Sequence, residues 1–389
     1  MAIIEGEEFD LGTGLPVSWV KHDVTWWEWS QEWLSLKWPQ WAGHSRRSAV
    51  ESLVAITPLM ARNGAPPASN EVATWLREHG YRPGSRDRDG PPSWLLKWSV
   101  PLSDIDTAQL ERILTTVATK LDGSPMSREV VRRRRTTLNA VLRAACRRQL
   151  IEHNPLDNSE WKLPTRNIAV DISTVPTYRD VLEIVDYVAG LRTDGARYAA
   201  LFAGVGIAGM RPSEAIALLA ADLELPSDGW GLAVLRGALT SPGTRFTSTG
   251  AVVEDKELKQ RAPDATRDVP LAPELVQRLR LHMERWPLVN GRVFTNTAGR
   301  APTTTNYGPV WVRARTKLWP GKHRLGKTTV YDLRHSAATM MLRAGVPPAE
   351  VARRLGHSVD ILMRVYAGVF DDERQRSNEL IERAVQERR

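Results

Sequence analysis

The sequence predicts a multidomain protein, in which an all-α N-terminal domain precedes a mixed α/β domain that is mostly helical and contains a small antiparallel sheet. Three observations lead to this prediction. The chain has 389 residues, more than a typical single domain holds. Apolar residues recur at helical spacing in the first half of the chain. In the second half, two β-type segments, "GLAVLRG" and "TRDVPL", interrupt a series of helical patterns.

The composition indicates a globular protein that carries an excess of positive charge. Hydrophobic residues make up 42% of the chain and charged residues 25%, and both values are ordinary for a globular protein. The formal net charge is +8 and the isoelectric point is about 9.7. A polyanion is therefore the expected partner, and nucleic acid is the commonest kind. A basic protein without such a partner is the alternative on charge alone.

A single cysteine, Cys146, and the distribution of apolar residues bear on the compartment. One cysteine cannot form a disulfide within the chain or build a cysteine-rich zinc site, and it fits a reducing cytoplasm. The N-terminal "MAIIEGEEFD" lacks the basic start and the apolar core of a signal peptide. The longest apolar run, Ala199–Met210, is shorter than the about 20 residues that span a bilayer. We therefore expect a cytoplasmic protein with no membrane partner.

We expect residues 1–20 to be a flexible N-terminus and residues 21–160 to form the helical domain. Ten of the fifteen tryptophans lie before residue 100, so this domain has an unusual supply of large side chains. Trp26, Trp29 and Trp33 have i, i+3, i+7 spacing, which puts them on one face of a helix. The spacing favours a helical core built from these tryptophans, with base stacking as the alternative.

The segment Ser127–Pro155 predicts a long helix with one apolar and one basic face. Its apolar stripe consists of Leu138, Val141, Leu142, Ala145 and Cys146. Six arginines fall largely off this stripe: Arg132, Arg133, Arg135, Arg143, Arg147 and Arg148. Such a helix can bury one face in a bundle and offer the other to DNA phosphates. A solvated basic face is the alternative.

Residues 161–177 have no clean period and contain prolines, which is typical of an interdomain linker. Residues 178–370 then form the second predicted domain, and residues 371–389 a C-terminal tail helix. Three helical segments, "YRDVLEIVDYVAGL", "ARYAALFAGVGIAGM" and "PSEAIALLAADL", precede the strands, and Pro212 occupies a first-turn position of the third. A long polar segment, residues 238–266, separates the two strands.

Two arginines stand beside apolar helices, where a solvated charge is least expected. Arg211 ends the most apolar segment of the chain. Glu214 follows one helical turn later, where its carboxylate can orient the guanidinium of Arg211. Arg334 precedes the apolar run "SAATMML". Both arginines are therefore candidates for a site.

A histidine and a tyrosine belong to the last predicted helices of the domain. Gly356 is placed to end the helix "PPAEVARRL" as a C′ residue, and His357 follows it. Ser358 is then a natural N-cap for the helix "VDILMRVYAGV", which carries Tyr366 two turns on.

These residue types suit nucleophilic attack on a phosphodiester. Arginine forks bind non-bridging phosphate oxygens in a bidentate manner and stay charged. A phenol, with an ordinary pKa of about 10, is a weak nucleophile at neutral pH, but nearby cations favour its phenolate. A phosphotyrosyl ester can conserve the energy of the broken bond. A lysine can supply the proton that the leaving 5′-oxygen needs.

Four ordered motifs resemble those of the tyrosine recombinases, the integrases of phages and integrative elements. "AGMRPSEAIAL" is similar to their first arginine motif and "YDLRHSAATMMLRAG" to their second. "ARRLGHS" and "MRVYAGV" are similar to their second histidine motif and their nucleophile motif. "LKQRAPDATRDVPLAPELVQRLR" resembles the β-turn segment that carries the family's lysine. The resemblance covers residues 178–370 well, and the basic helix resembles the family's helical core-binding domain more loosely.

The resemblance implies a site-specific DNA recombinase, an integrase that cuts and rejoins duplex DNA through a 3′-phosphotyrosine intermediate for a phage or mobile element. The implied catalytic residues are Arg211, Lys259, Tyr331, Arg334, His357 and Tyr366, with Glu214 in support. The arginines would clamp the scissile phosphate, the histidine would bond a non-bridging oxygen, and the lysine would be the general acid. Lys256 is the alternative to Lys259 as general acid.

One position departs from the pattern of the family. The family usually has histidine three residues before the second arginine, where this sequence has Tyr331. Tyrosine can donate a hydrogen bond to phosphate but is a poor general base at neutral pH. We interpret Tyr331 as a tolerated variant. The neighbouring His335 is expected to pack or cap locally.

The resemblance also implies the partners. They are duplex DNA attachment sites, other copies of the chain in a homotetramer on DNA, and an excision or directionality factor, in the cytoplasm and nucleoid of a bacterial host. No metal or nucleotide cofactor is expected. One alternative is a non-catalytic DNA-binding protein, repressor-like or a degenerate integrase, since "AGVPPAEVARRLGHSVDILMRVYAGV" superficially resembles a helix-turn-helix. The other is a type IB topoisomerase or telomere resolvase with the same chemistry.

Overall fold

The computed structural model describes residues 23–85, 90–164, 169–258, 265–369 and 374–386. The chain divides into two compact units, Met1–Arg166 and Asn167–Arg389. The N-terminus predicted to be flexible, residues 1–20, lies outside the described residues. Within the described ranges, no helix is both long enough and apolar enough to cross a membrane.

The first unit is helical in its described residues. Its helices are α1 (Trp26–Lys37), α2 (Gly43–Ile56), α3 (Asn70–Trp75), α4 (Ser93–Trp98), α5 (Thr107–Val117) and α6 (Arg128–Arg147). Thr25 caps α1 in a reciprocal pair with Glu28. The predicted tryptophan face is confirmed, because Trp26, Trp29 and Trp33 are all buried. The indole N–H of Trp29 donates to a backbone carbonyl of α6, and this bond joins α1 to α6.

The long basic helix was predicted correctly in its main features. Its stripe of Leu138, Val141, Leu142 and Ala145 is buried. Cys146 is only half-buried, so its assignment to the stripe was wrong. Ala144, which was not assigned to the stripe, is buried. The six predicted arginines are exposed or half-buried.

The second unit combines helices with short strands. Its helices are α7 (Tyr178–Ala189), α8 (Ala199–Gly206), α9 (Pro212–Ala217), α10 (Pro273–Arg285), α11 (Thr304–Leu318), α12 (Asp332–Arg343), α13 (Pro348–Leu355), α14 (Val359–Val365) and α15 (Arg374–Gln386). Its strands are β1 (Leu223–Glu224), β2 (Gly231–Leu235), β3 (Gly237–Thr240), β4 (Glu254–Glu257) and β5 (Arg267–Leu271). This is the mostly helical α/β architecture with small antiparallel sheets that the sequence predicts.

The two predicted strands pair with each other. β2 is the centre of an antiparallel sheet with the order β1-β2-β5, in register Gly231↔Leu271 and Leu235↔Arg267. The long polar segment predicted over residues 238–266 contains an antiparallel hairpin of β3 and β4. The segment "EDKE" of β4 has no apolar alternation, so this strand rests on backbone pairing with β3.

Helix α8 is buried on every side, as its composition predicts. It packs against α7, α9, α10 and α12, so both of its ends are fixed in the core. The helix predicted after Pro212 is shorter than expected, because Leu218 adopts extended backbone angles and ends α9 at Ala217. The short α9 and the turn before it place the first candidate arginine.

Candidate active site

The turn between α8 and α9 sets the position of Arg211. Gly209 has φ +70°, a left-handed angle that favours glycine, and a Cβ there would lie 2.5 Å from a methyl carbon of Leu355. The chain then extends through Arg211, and Pro212 begins α9. The backbone N–H of Arg211 donates to Glu214 Oε2 at 2.8 Å, so the arginine is tied to the first turn of α9.

Glu214 lies between two guanidinium groups. Arg211 Nη1 donates to Glu214 Oε1 at 2.6 Å. Arg267 donates to both carboxylate oxygens, from Nη1 at 3.0 Å and from Nη2 at 2.5 Å. The side chains of Glu214 and Arg267 are each only 2% exposed. Burial alone would raise the pKa of Glu214, but the charges and hydrogen bonds of Arg267 and Arg211 outweigh it and hold that pKa below its ordinary value.

Arg334, in the first turn of α12, is the most deeply buried of these arginines, at 1% exposure. It donates to the backbone carbonyls of Gly209 and Leu355. It also donates from Nη2 to His357 Nε2 at 2.9 Å. Burial, with the charge of Arg211 added, lowers the pKa of Arg334 to about 10, so the group stays cationic at neutral pH. Its Nε has no hydrogen-bond partner among the described residues.

The turn between α13 and α14 presents His357. Gly356 ends α13 in a left-handed conformation, φ +65°, and the Ser358 hydroxyl accepts from the backbone N–H of Ile361, so the predicted C′ glycine and N-cap are confirmed. The carbonyl of Gly356 accepts from Arg211 Nη2 at 3.0 Å. Burial and the charge of Arg334 lower the pKa of His357 to about 3, so the ring is neutral. Because arginine can only donate, Nε2 accepts and the ring proton lies on Nδ1.

Tyr366 is completely buried, at 0% exposure. It follows the last residue of α14, so the prediction that it lies within that helix was wrong by one position. Its hydroxyl oxygen is 2.8 Å from His335 Nδ1. Burial raises the pKa of Tyr366 above its ordinary value, and the charge of Arg334 opposes this shift.

His335 makes a contact that the sequence reasoning did not anticipate, since that reasoning expected local packing or capping. Its burial lowers its pKa, so the ring is neutral at pH 7 and can accept the hydroxyl proton of Tyr366. The Tyr331 ring meets the His335 ring edge-on, with centroids 5.6 Å apart. Tyr331 itself is 43% exposed. In the sequence, the position of His335 next to Arg334 in the motif "YDLRH" was the signal that could have indicated this contact.

Two lysines, Lys259 and Lys256, are candidates for the general acid. Lys259 lies outside the described residues. Lys256 is on β4, half-buried, and pairs in register with Ala238 of β3. It lines the same cleft as Glu214 and Arg236.

Arg267 is the site residue that sequence reasoning missed. It occupies the first position of β5, where Arg267, Val269 and Leu271 alternate on the buried face. An arginine in the buried register of a strand is itself the signal that could have revealed it, since such a charge needs a buried partner.

The five side chains that we call the cationic cluster form two hydrogen-bonded groups. One consists of Arg211, Glu214 and Arg267, and the other of Arg334 and His357. The bond from Arg211 to the carbonyl before His357 connects the two. The cluster contains three guanidinium groups and one carboxylate, which bonds Arg211 and Arg267, and its imidazole is neutral. The cluster therefore has a positive charge of two in a largely buried setting, which favours an anion. The phenol of Tyr366 lies outside the cluster. It is hydrogen-bonded to His335, which follows Arg334 in the chain.

Comparisons with known proteins identify the family and the fold of the chain. The family model described as the phage integrase family matches residues 177–373. Comparison with curated proteins gave no significant match. The solved structure of the Tn1549 transposon integrase in complex with transposon right end DNA has a TM-score of 0.55 at 18% identity, covering 74% of this chain and 88% of that chain. XerH site-specific recombinase bound to difH substrate has a TM-score of 0.54 at 16% identity, covering 91% and 94%. These two likenesses concern the fold.

Proposed function

This chain belongs to the phage integrase family, and we propose that its cationic cluster and Tyr366 carry out the strand cleavage of a site-specific DNA recombinase. One observation carries the proposal. A buried group with an excess of positive charge lies near a buried phenol: Tyr366 is hydrogen-bonded to His335, which follows Arg334 in the chain, and the charge of Arg334 acts on the phenol. A phosphodiester supplies the negative charge that the cluster lacks, and a phenol supplies the nucleophile.

The cluster binds and polarises the scissile phosphate. Arg211 and Arg334 direct guanidinium N–H groups to the non-bridging oxygens, where negative charge grows during in-line attack. His357 is neutral and donates one further hydrogen bond from the nitrogen that Arg334 leaves unoccupied. Tyr331, exposed beside His335, donates from its hydroxyl where other members of the family have histidine.

The reaction forms one bond and breaks another. Tyr366 Oη joins the phosphorus, and the bond from phosphorus to the 5′-oxygen breaks, which leaves a 3′-phosphotyrosyl ester. The hydroxyl proton passes to His335 Nδ1, the atom 2.8 Å away. A proton from Lys259, or from Lys256, completes the 5′-hydroxyl. Rejoining is the reverse reaction with a 5′-hydroxyl of another strand as nucleophile, so the energy of the broken bond is kept in the ester.

The remaining roles follow the division of the chain. Residues 21–160 bind DNA, residues 161–177 link the domains, residues 178–370 catalyse, and residues 371–389 dock on a neighbouring subunit. The six arginines of α6 contact duplex phosphates outside the cleavage point. The substrate is a pair of attachment sites held by a homotetramer, with an excision factor setting direction. The setting is the cytoplasm and nucleoid of a bacterial host that carries a phage or another mobile element.

A nicked suicide duplex that carries the attachment-site sequence tests the proposal. The wild-type chain, incubated with EDTA and then denatured, should leave a protein–DNA adduct that Tyr366→Phe cannot form. Tyr178→Phe is the matched control, because it removes a hydroxyl bonded to Glu274 outside the cluster. Duplex binding without any adduct would favour a repressor-like protein. Relaxation of supercoiled plasmid without sequence preference would favour the topoisomerase alternative.

A further inference from the structure

Arg267 is bound into the cationic cluster in a way that leaves it little access to DNA. Both of its terminal nitrogens donate to the carboxylate of Glu214, whereas Arg334, which is equally buried, donates to neutral groups. A substrate phosphate would have to displace a buried carboxylate to reach these nitrogens. Apart from its charge, any influence of Arg267 on the reaction must therefore pass through its neighbours.

The neighbours of Arg267 are the two structures that present the phosphate-binding groups. Glu214 holds Arg211 through a 2.6 Å bond to Nη1 and a 2.8 Å bond to the backbone N–H. The Arg267 guanidinium also lies against Gly356, since a Cβ added to Gly356 would be 2.2 Å from Arg267 Nη1. The carbonyl of Gly356 accepts from Arg211, and the next residue is His357. One planar group thus supports Arg211 on one side and the histidine turn on the other.

The chemistry of this position requires arginine. A guanidinium can bond both oxygens of a carboxylate at once and remain flat against a backbone turn, whereas an ammonium is a point donor on a flexible stem. With Arg267 in place, Glu214 remains ionised in a buried site and its two oxygens have fixed directions. Arg211 then has one orientation rather than several.

We propose that Arg267 is a positioning residue for strand cleavage. It fixes Glu214 and the Gly356–His357 turn, so that Arg211 and His357 are aligned for the phosphate before DNA binds. This inference rests on the proposed function. It adds a group on strand β5 that acts without touching the substrate.

The first test compares Arg267→Met and Arg267→Lys with the wild type. Single-turnover adduct formation at saturating suicide duplex should slow by about 10- to 100-fold in Arg267→Met, the usual effect of losing a group that orients a ligand-binding side chain. Arg267→Lys keeps the charge without the fork, so it should remain clearly slower than the wild type. Full activity in Arg267→Lys would show that charge alone suffices and would overturn the alignment role. Arg278→Met is the control, because Arg278 also bonds two carboxylates, Asp186 and Glu274, but on α10.

The second test separates alignment from general damage to the fold. In a duplex whose scissile phosphate is a methylphosphonate, a methyl group replaces one non-bridging oxygen and removes the charge that Arg211 must meet. On this neutral substrate, the rate of Arg267→Met should be closer to the rate of the wild type than it is on the charged duplex. An equal defect on both substrates, or no defect on the charged one, would overturn the positioning role. A wild-type chain that forms no adduct on the charged duplex would instead overturn the proposed function, and this inference with it.

Discussion

His335 Nδ1 and the hydroxyl oxygen of Tyr366 are 2.8 Å apart, although 31 positions separate the two residues in the chain. The bond joins the first turn of α12 to the end of α14. It brings a neutral imidazole within proton-transfer distance of the proposed nucleophile.

His335→Gln should therefore slow adduct formation by about 100-fold or more, since glutamine cannot take up the phenolic proton. In the wild type, the neutral ring is the active form, and burial places its pKa below the ordinary value of about 6.5. The rate should be level at neutral pH and fall on the acid side of that value, as the ring gains a proton. The charged neighbours Asp332 and Arg334 shift this limb in opposite directions.

The pH profile of single-turnover cleavage measures both effects. His335→Gln should lack the acid limb, while His153→Gln, a change at an exposed histidine, should keep it. An unchanged limb in His335→Gln would show that another group takes the proton.

Glu214→Gln should lower the free energy of unfolding at pH 7 by about 3–5 kcal/mol, because two mostly buried arginines lose their anionic partner. The pKa of Glu214 is lowered in the folded state, so its contribution is complete above the ordinary carboxyl pKa and is lost as the pH falls through the folded value. The gap between wild type and variant should therefore narrow on the acid side of about pH 4.

Urea unfolding at several pH values checks this prediction. Glu350→Gln is the control, since Glu350 also bonds two arginines but on the surface of α13. It should cost about 1 kcal/mol or less. A loss of that size in Glu214→Gln would mean that the cluster does not depend on its carboxylate.

Gly356→Ala should reduce both stability and cleavage. Alanine at φ +65° costs about 1–2 kcal/mol, and its Cβ would collide with the Arg267 guanidinium. Gly250→Ala provides a matched comparison, because Gly250 has φ +75° with no atom within 4 Å of the added carbon. Thermal unfolding and adduct assays should show a larger loss in Gly356→Ala, and equal losses would remove the evidence for close packing by Arg267.

The double variant Arg147→Ala, Arg148→Ala should weaken duplex binding and reduce the slope of log affinity against log salt by about 2. Both residues are exposed at the end of α6. The single-turnover rate at saturating DNA should not change. Arg280→Ala with Arg285→Ala, on α10, is the comparison pair, and fluorescence anisotropy at several salt concentrations gives the slopes. Equal slopes in wild type and α6 variant would place the DNA elsewhere.

Tyr331→His should cleave at least as fast as the wild type, because imidazole can also donate to a phosphate oxygen. At 43% exposure the change should alter the free energy of unfolding by no more than about 0.5 kcal/mol. Single-turnover cleavage measures the rate of Tyr331→His, and thermal unfolding measures its stability. A collapse of the rate with a normal melt would give the tyrosine hydroxyl a specific role.

The strands and caps were predictable where local patterns determine them. Apolar alternation revealed β2 and β5, and Gly356 and Ser358 act through their own backbone and side-chain chemistry. The hairpin of β3 and β4 could not be predicted in this way. Its second strand is charged throughout, so its stability comes from pairing with a distant partner.

The candidate site divides in the same manner. Arg211, Arg334, His357 and Tyr366 stand in recognisable local motifs, and the fold brings the first three into the cationic cluster. The contributions of Arg267 and His335 depend on how β5 packs against α13 and how α12 meets α14. Such contacts arise from tertiary packing, which periodicity along one segment does not encode.

The complete burial of Tyr366 limits which DNA phosphates can reach its hydroxyl. An atom without accessible surface cannot contact a phosphate in a brief, non-specific encounter. Neighbouring side chains must first move aside, and that movement needs free energy from an extensive, well-matched encounter with DNA. Under the proposed function, the same packing that stabilises the resting protein therefore suppresses cleavage of DNA that the chain contacts only briefly.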